Sequence, residues 1–435
     1  MSSSAPAPRE LSPEQQAVFD AIESSREHLF VTGRAGTGKS TLLEHLAWHS
    51  SKQIVICAPT GVAALNVGGQ TIHSLFRLPI GVIADQDLEQ GPELRKLLGA
   101  IDTLVIDEVS MVNADLMDAM DRALRQARAR REEPFGGVQV VLFGDPYQLA
   151  PVPGDPEERA YFADRYRSMW FFDAKVWEQA ALTIYELQTI HRQHELEFKR
   201  LLTAVRHGTV DSDQAQRLNS VGARPAPADA IVLASTNATV GRINTARLAA
   251  LPGRAQTAVA EVNGDFAGRA FPADERLELK VGAQVMFLRN DAGGDGRWVN
   301  GSIGSVVRIT SSVRVEVDGE VHEVAPSTWE RYRYSYSAAT KSLTKDVVAE
   351  FTQFPLRLAW AVTIHKSQGK SYDRALVDLG PRSFAAGQTY VALSRITALE
   401  GLHLARPLRP SDVIVDPRVR EFMSTARAVP GIEAI

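Results

Sequence analysis

Residues 30–42 read FVTGRAGTGKSTL, and this stretch decides which fold the chain can adopt. An apolar run from His28 leads into Gly33, Gly36 and Gly38, and a helical pattern begins near Lys39. A strand, a glycine-rich loop and a helix in this order form a phosphate-binding loop, because backbone N–H groups and the positive end of the helix converge on the phosphate oxygens. The alternative is a chance glycine turn, which the flanking strand and helix patterns disfavour. The sequence therefore predicts a nucleoside-triphosphate site.

Individual residues of this loop have expected contacts with the nucleotide. Lys39 is expected to reach the β- and γ-phosphates, and the hydroxyl of Ser40 is expected to bind Mg²⁺. Upstream, Ser12 and Pro13 start a helix that carries Gln16, a candidate amide for adenine recognition; a solvated helix residue is the alternative. The residues expected to hold the nucleotide in this half of the chain are Gln16, Gly33, Ala35, Gly36, Thr37, Gly38, Lys39, Ser40 and Thr41.

Two further strand ends supply candidate catalytic groups. The apolar run 101–107 ends in Asp107 and Glu108. Asp107 is expected to hold Mg²⁺ through water, and Glu108 is expected to orient or deprotonate the attacking water. The alternative, a solvated Asp-Glu turn, is disfavoured by the apolar strand and the phosphate loop before it. Gln148, on the loop after the strand at 138–143, is a candidate sensor of the γ-phosphate, and a fixed turn residue is its alternative.

Composition and charge limit the class of protein. The chain has 435 residues, of which 44% are hydrophobic and 23% are charged, as is typical of a globular protein with full-sized cores. Its net charge of -4 means that a nucleic-acid partner must meet a locally basic surface. The single Cys57 excludes disulfides within the chain, and no apolar run reaches the length of a membrane span. Residues 1–10 lack a secretion-signal pattern and are expected to be a disordered tail, so we expect a cytoplasmic protein with no membrane partner.

The strand pattern predicts the architecture. Buried strands that begin near residues 28, 53, 101 and 138, each followed by a crossover, indicate a parallel sheet with helices on both faces. The candidate groups follow the carboxyl ends of these strands, where such sheets bind ligands. Within this half, we expect a polar loop at 61–76 and a small insertion at 77–99. In the second half, strands at 230–234 and 374–379 are expected to belong to a second sheet. Short alternating runs predict a small antiparallel barrel between them, at 283–288, 303–309, 313–317 and 321–324.

Several motifs occur in an order that resembles one family. The stretches GRAGTGKS, APTGVAALNVGGQTIHSLF, IDEVSM, PFGGVQVVLFGDPYQLAPV, LQTIHRQ, AVTIHKSQGKS and YVALSRIT follow one another as in superfamily-one helicases. The pattern between 107 and 152 is similar to the signature region of the Pif family of 5′-to-3′ DNA helicases, to which the RecD and Dda helicases are related. The resemblance implies ATP and Mg²⁺ as cofactors, and single-stranded DNA and duplex junctions as partners. It further implies a monomer in the free state and a bacterial, nucleoid-associated location.

The resemblance also implies roles for residues of the second half. Arg192 and Arg395 match the arginines that reach the γ-phosphate, and Gly369 matches a position near the nucleotide; an isolated arginine is otherwise usually a surface charge. Lys370 stands where many relatives of the wider superfamily carry an acid that contacts ribose. The residues expected on the DNA backbone are Thr60, Asn66, Thr71 and His73 in the first half and Thr363, His365, Lys366 and Ser367 in the second. These donors suit phosphates rather than bases, so we expect little sequence preference.

The predicted fold class is α/β, with two RecA-like parallel-sheet motor domains and a small inserted β-barrel of the Src-homology-three type. The first motor domain is expected at 11–182, with a wedge-like insertion at 77–99, the second at 183–282 and 350–435, and the barrel at 283–349. The expected function is 5′-to-3′ translocation on single-stranded DNA with unwinding of duplexes at forks, R-loops or G-quadruplexes. A RecD-like translocase or remodelling subunit without unwinding of its own is one alternative, and a nucleotide switch that is not a motor is the other.

Overall fold

The computed structural model describes residues 10–79, 81–151, 156–190, 195–264, 271–291, 297–310, 312–337, 340, 342–425 and 427–428. Its helices are α1 (Pro13–Ser24), α2 (Lys39–His49), α3 (Gly61–Asn66), α4 (Ile72–Phe76), α5 (Pro92–Gly99), α6 (Ala114–Arg128), α7 (Pro156–Arg165), α8 (Leu196–His207), α9 (Ser212–Gly222), α10 (Asn237–Ala250), α11 (Gln388–Leu393) and α12 (Pro417–Met423). Short 3-10 turns lie at Asp85–Leu88, Val109–Met111, Pro134–Gly137, Phe171–Asp173, Lys175–Glu178, His365–Ser367, Leu399–Gly401 and Pro410–Asp412.

The strands are β1 (His28–Gly33), β2 (Ile54–Ala58), β3 (Gln70–Thr71), β4 (Thr103–Ile106), β5 (Gln139–Phe143), β6 (Leu182–Leu187), β7 (Ile231–Ala234), β8 (Gln256–Val259), β9 (Glu261–Gly264), β10 (Arg276–Leu279), β11 (Gln284–Phe287), β12 (Ile303–Ile309), β13 (Val313–Val317), β14 (Glu320–Val324), β15 (Ser327–Ser337), β16 (Ser342–Gln353), β17 (Leu356–Leu358), β18 (Ala361–Thr363), β19 (Ala375–Asp378), β20 (Leu402–Leu404) and β21 (Arg427–Ala428).

The first sheet has the strand order β21-β6-β1-β5-β4-β2-β3, and all its pairs are parallel. Leu29 and Val31 pack with α1 and α2 on one face, whereas Phe30 between them packs in the core that contains α6. Successive side chains of a strand point to opposite faces, so a strand that is covered on both sides must be apolar throughout. The prediction of a parallel α/β sheet with helices on both faces is confirmed.

Strand β6 belongs to this first sheet. It pairs with β1 along its whole length, from Leu182 opposite His28 to Leu187 opposite Gly33. The boundary expected between 182 and 183 therefore cuts off a strand of the first sheet, and β21, inside the range expected for the second domain, also joins this sheet beside β6. An apolar pattern identifies a strand but does not say which sheet it joins, because that depends on pairing between distant segments.

A second parallel sheet has the order β18-β7-β19-β20. Its strands β7 and β19 lie within the two segments expected to form it, at 230–234 and 374–379. The segment between these strands forms separate antiparallel structure, so the second sheet is assembled from two pieces of chain on either side of an insertion.

The insertion is an open sheet rather than a closed barrel in the part of the chain that the structure describes. Five antiparallel strands follow the order β14-β13-β12-β11-β17, and β14 and β17 are its two edges. β17 lies beyond the expected limit of 349. After β14 the chain enters a long hairpin, β15 and β16, that pairs with β9 instead of closing the sheet. The alternating runs identified the strands, but closure depends on an edge pairing that this pattern does not encode.

The long hairpin docks against the edge of the first sheet. The Tyr334 N–H donates to Gln70 Oε1 at 3.3 Å, and the Leu343 N–H donates to Gln53 Oε1 at 3.2 Å. The Tyr334 hydroxyl accepts from the Ile56 N–H at 3.5 Å. An exposed edge strand invites pairing with other chains, so the hairpin protects the short edge strand β3.

Two segments are more regular than their sequence pattern indicates. The expected loop at 61–76 contains α3, β3 and α4, and Thr60 and Thr71 are the N-caps of the two helices. The insertion at 77–99 contains α5, whose apolar side chains at Leu94, Leu97 and Leu98 are buried in the main core. Short helices with few apolar positions give too weak a periodic signal to be recognised before the core is known.

A buried arginine joins the second half of the chain to the first sheet. Arg206, near the end of α8, is 1% exposed. Its Nη2 donates to Asp145 Oδ1 at 3.1 Å and its Nη1 donates to Glu186 Oε1 at 2.8 Å. The guanidinium also lies 4.3 Å from the centre of the Tyr147 ring. One side chain thus neutralises two acids that follow or belong to β5 and β6.

We expect Arg206→Met to destabilise the protein by about 3–5 kcal/mol, because it leaves Asp145 as an unpaired charge in the interior. Denaturant unfolding followed by circular dichroism measures the change. Arg217→Met is the matched control, because it breaks an ion pair with Glu197 in which both side chains are about half exposed, and it should change stability little. Equal effects of the two substitutions would contradict the structural role of Arg206.

Candidate nucleotide and nucleic-acid site

The loop between β1 and α2 has the backbone geometry of a phosphate site. Gly36 and Gly38 have φ of 87° and 79°, which residues with a side chain rarely adopt. Lys39 is the first residue of α2, and its Nζ donates to the carbonyl oxygens of Gly33 and Arg34 at 2.7 and 3.2 Å. The Thr37 hydroxyl also donates to the Arg34 carbonyl, at 3.0 Å. The ammonium and the N-terminus of α2 are therefore at the same place, as the sequence predicts.

The rest of the predicted loop residues surround this point, but Gln16 does not. Ser40 is exposed and Thr41 is half-buried in the first turn of α2. Gln16 is exposed and donates to Asp20, whereas Gln15 is buried and its Nε2 donates to the Gly38 carbonyl at 2.9 Å. The geometry thus favours Gln15 over Gln16 as the amide next to a bound nucleotide. The capping box with Ser12 makes a structural role for Gln15 visible in the sequence, but not its contact with the loop.

Two half-buried acids stand at the end of β4. Burial, followed by the neighbouring Glu108, raises the pKa of Asp107 to about 7. Burial also raises the pKa of Glu108, while the charges of Lys39 and Arg395 lower it. Glu108 has a φ of 50°, an uncommon conformation for a residue with a side chain. Adjacent carboxylates that burial makes costly to ionise are a suitable donor set for a divalent cation, so the chemistry of Asp107 fits Mg²⁺.

The second half of the chain contacts the phosphate loop directly. The hydroxyl of Tyr390, on α11, accepts a hydrogen bond from the Ala35 N–H at 3.0 Å. Gly387, at the N-cap of α11, lies so close to the Gln148 loop that a Cβ would be 2.3 Å from the Gln148 carbonyl oxygen. The start of α11 therefore faces both the phosphate loop and the predicted sensor loop, and no side chain larger than hydrogen fits at 387.

Gln148 is bonded to a residue that the sequence did not single out. Its Oε1 accepts from Gln368 Nε2 at 3.3 Å, and Gln148 is buried. Gln368 lies in the segment 363–369, in which four other residues are expected to contact DNA. It is part of the quoted motif AVTIHKSQGKS, but nothing in the spacing of that motif reveals a partner 220 residues earlier in the chain.

Arg395 is placed beside this same segment. Its side chain is 1% exposed, and its Nη1 donates to the carbonyl oxygens of Ser367 and Lys370 at 3.5 and 3.4 Å. Its charge lowers the pKa of Glu108, so the guanidinium is near the acid pair. Arg192, the other predicted arginine, lies outside the described residues.

The DNA-contact candidates of the first half lie around the two short helices after β2. Thr60 and Thr71 use their hydroxyls to accept from backbone N–H groups at the helix starts, at 3.2 and 3.3 Å. Asn66 is exposed, and His73 is half-buried with its pKa lowered by burial. All four follow β2 or β3 at one edge of the first sheet, and Asn66 and His73 have side chains that are free of a capping role.

The candidates of the second half follow β18, at an edge of the second sheet. Lys366 is exposed, and His365 is half-buried with its pKa lowered by burial. Thr363 is buried and its hydroxyl accepts from the Lys366 N–H at 3.2 Å. Ser367 is fully buried and donates to the Ile364 carbonyl at 2.7 Å, so in this arrangement its hydroxyl does not face solvent and the expected DNA contact is not supported. Gly369, with a φ of 75°, ends the turn.

None of the helices in the described ranges is long and apolar enough to cross a membrane. Within those ranges, no group of three or more His, Cys, Asp or Glu side chains is arranged to hold a metal ion by itself.

Comparisons with known proteins agree on one family. Residues 10–216 match the family model described as PIF1-like helicase. The ATP-dependent DNA helicase PIF1 of Mus musculus is 35% identical over 97% of this chain, which spans only 64% of that relative's length. The ATP-dependent DNA helicase Pif1 of Bdellovibrio bacteriovorus is 34% identical over 95% of this chain and 91% of its own.

Solved structures give the same result. The crystal structure of Bacteroides sp Pif1 in complex with ADP-AlF4 aligns with a TM-score of 0.89 and 36% identity, covering 96% of this chain and 97% of that one. The same protein bound to ssDNA aligns over the same shares of both chains with a TM-score of 0.68. Since the Bdellovibrio and Bacteroides proteins are 34% and 36% identical to this chain and are matched over 91% and 97% of their own length, this chain belongs to the PIF1-like helicase family.

Proposed function

We propose that this protein is an ATP-dependent DNA helicase that moves 5′-to-3′ on single-stranded DNA and unwinds duplexes. The observation that carries the proposal is the position of the segment 363–370, which holds predicted DNA contacts. It is bonded to Gln148 through Gln368 and to Arg395 through two carbonyl oxygens. One loop thereby touches both the DNA candidates and the candidates for γ-phosphate recognition, which is what a nucleotide-driven motor requires.

On the nucleotide side, the loop 33–40 binds the phosphates of ATP through backbone N–H groups, and Lys39 leaves its carbonyl partners to reach the β- and γ-phosphates. Ser40 and Asp107 would hold Mg²⁺, which neutralises charge on the phosphates when it is bound. Glu108 takes the proton of the attacking water, because Lys39 and Arg395 oppose the effect of burial on its pKa and favour the ionised base.

Arg395 and Arg192 would meet the charge that develops on the transferred phosphoryl group, a contribution of roughly 10³–10⁵ in rate. Since Arg395 belongs to the second half, this stabilisation is complete only when the two sheets are close. The Tyr390 contact with Ala35 and the packing of Gly387 on the Gln148 loop support the same closure. Hydrolysis then removes the γ-phosphate contacts and lets the sheets separate.

On the DNA side, we propose that single-stranded DNA lies along four side chains of the two halves, with three threonines nearby: Asn66, His73, His365 and Lys366, and Thr60, Thr71 and Thr363. On the nucleotide side, Gln15 takes the contact with adenine. The relatives named as DNA helicases and the ssDNA complex of the Bacteroides protein support this assignment. The lower TM-score to that complex supports a different arrangement of the two halves when DNA is bound.

We further propose a monomer in the free state, acting at the bacterial nucleoid.

The insertion at 77–99 remains our candidate for the element that separates the strands. Helix α5 is anchored by its buried leucines, while Glu93, Arg95 and Lys96 are exposed. A helix that is anchored in this way and has a charged exposed face can stand against a duplex end, where each base-pair step costs about 1.4 kcal/mol to open. Forks, R-loops and G-quadruplexes are the structures on which we expect it to act.

We expect unwinding of a duplex with a 5′ single-stranded tail, but not of a matched duplex with a 3′ tail, in the presence of ATP and Mg²⁺. A strand-separation assay with a fluorophore and quencher measures both. Lys39→Ala is the inactive control, because losing the ammonium at the phosphates should lower kcat about 10²–10³-fold. Unwinding from the 3′ tail alone would show movement in the direction opposite to the proposed one. DNA-stimulated hydrolysis without any unwinding would favour the RecD-like translocase.

We expect Gln368→Leu to reduce the stimulation of ATP hydrolysis by single-stranded DNA about 2–10-fold, because it removes a hydrogen bond of ordinary strength between the DNA loop and Gln148. The ratio of DNA-saturated to basal kcat is the measurement. Lys366→Met is the control: it should weaken DNA binding while leaving the ratio at saturating DNA nearly unchanged. An equal loss of basal and stimulated rates in Gln368→Leu would show that Gln368 has only a structural role.

A further inference from the structure

Three cationic side chains from two segments of the chain converge beside the DNA-contact candidates. Arg357 is in the middle of β17, Lys366 lies in the turn after β18, and Lys370 follows that turn. Arg357 and Lys366 both repel the Lys370 ammonium, and Arg357 also repels that of Lys366. Like charges held together in a chain whose net charge is -4 require an explanation.

The neighbouring acids do not compensate for this charge. Among the described residues, Asp274 is the acid nearest to Arg357, at 3.9 Å from its Nε, and the Asp274 side chain is 52% exposed. Asp274 lies close enough to favour the charged form of Lys366, but it has no such effect on Lys370. A half-exposed carboxylate contributes little against three cations, so the cluster keeps an excess of positive charge.

Lys370 itself has a poor partner. Of the groups within the described ranges, its Nζ donates only to the Met286 sulfur, at 3.6 Å, and a thioether is a weak acceptor. The Tyr372 hydroxyl donates to the same sulfur at 3.5 Å, and burial raises the pKa of Tyr372, so this phenol is neutral. The aliphatic stem of Lys370 lies against the backbone of Gly301, where a Cβ would be 3.3 Å from the lysine Cβ. Among the described residues this half-buried ammonium therefore has no carboxylate, carbonyl or hydroxyl acceptor, an arrangement that suits a ligand with anionic oxygens.

The elements around Lys370 define the position of that ligand. Met286 lies on β11 and is opposite Arg357 of β17, so both belong to the inserted sheet, whereas Lys366 and Lys370 follow β18 of the second parallel sheet. Arg395 also lies nearby, but it contacts Lys370 through the backbone carbonyl, to which its Nη1 donates at 3.4 Å, and not through the lysine side chain. The three cations therefore meet where the inserted sheet joins the second motor sheet.

We propose that Lys370, Arg357 and Lys366 together bind one phosphodiester group of single-stranded DNA at this junction. The inference rests on the proposed DNA-binding function and adds to it a site that joins the inserted sheet to the DNA path. A phosphodiester supplies the negative charge and the strong acceptor oxygens that the three donors lack. Since Arg357 belongs to the inserted sheet, DNA in this site contacts that sheet and the second motor sheet at once.

The site has a consequence for pH dependence. Burial, followed by Arg357 and Lys366, lowers the pKa of Lys370 to about 7 in the protein without DNA. A bound phosphodiester restores a pKa near the ordinary lysine value of 10.5. At pH values between the free and the bound pKa of Lys370, the DNA complex holds more protons than the free protein. The affinity for DNA therefore falls as the pH rises through 7. Linkage gives a fall of about tenfold between pH 6 and pH 8.

The experiment measures the affinity of wild type, Lys370→Met and Lys370→Arg for fluorescent oligothymidylate, by anisotropy at pH 6 and pH 8. The Lys370 contribution is the part of the wild-type pH dependence that is absent from Lys370→Met, because the titration of His73 and His365 is common to all three proteins. We expect this part to be about tenfold. Lys370→Arg stays charged throughout, so it should bind DNA well at pH 8 and show the shallower pH dependence of Lys370→Met.

Lys175→Met, which removes an exposed lysine of the first half that stacks on Tyr166, is the matched control and should retain the wild-type pH dependence. At pH 6, Lys370→Met should also reduce the salt dependence of log affinity by about 0.7, the value for one phosphate contact on a single strand. Melting temperatures of all variants check that they are folded.

Calorimetry of the wild-type protein supplies a test without substitutions. Titration with oligothymidylate at pH 8, in two buffers of different ionisation enthalpy, should show uptake of about 0.9 proton from a pKa change from about 7 to 10.5. Burial lowers the pKa of His73 and of His365, so both are neutral in the free protein at this pH and add little.

Each contrary result has a distinct meaning. Wild-type pH dependence and affinity in Lys370→Met, with no proton uptake by the wild type, would overturn the phosphate site while leaving DNA binding intact. Weaker binding of a non-hydrolysable ATP analogue with unchanged DNA binding would assign the cations to the nucleotide phosphates and would also overturn the proposal. Failure of the wild-type protein to bind oligothymidylate at all would instead contradict the proposed function.

Discussion

Burial of charge between two parallel sheets is the constraint on which the rest of this structure depends. Arg206 is enclosed, and its charge is balanced by Asp145 and Glu186, which belong to the first sheet and its loops. Arg395 is equally buried; it donates to the Val391 carbonyl and the Ser394 hydroxyl of its own segment and, over longer distances, to two carbonyl oxygens of the turn after β18. A buried guanidinium needs acceptors, and because both arginines take some of theirs from other segments, each one helps to fix the position of elements that are far apart in the chain.

This constraint brings the two candidate sites into contact. The acids at the end of β4 need nearby cations to ionise, and Lys39 and Arg395 come from opposite halves of the chain. The turn that holds Arg395 also carries the DNA candidates and reaches Gln148 through Gln368. A ligand that moves this turn must therefore alter the acid pair, and by reciprocity the nucleotide must alter the turn. The excess of positive charge at Lys370 extends the same logic to the inserted sheet.

The sequence predicted those parts of the site that are formed by consecutive residues. The loop 33–40, the acids at 107 and 108 and the strands on which they stand were recognisable because their chemistry depends on local spacing. Gln16 was named only for its position upstream of the phosphate loop, and only packing shows that the neighbouring Gln15 is the amide that reaches Gly38. The closed barrel was wrong for the described residues for a related reason: alternation identifies strands, but the edge pairing of β14 and β17 is a long-range property.

The amino-acid sequence alone predicts a nucleotide-phosphate site at the end of a parallel sheet and contains the motifs of a helicase family. Glycine positions, apolar periodicity and adjacent acids act over a few residues, and their effect is nearly independent of the rest of the fold. Only the tertiary structure decided that Tyr390 would meet Ala35, that Gln368 would meet Gln148 and that Lys370 would face a methionine sulfur. Those contacts join residues separated by 355, 220 and 84 positions, and they exist because two sheets and an insertion pack in one particular way.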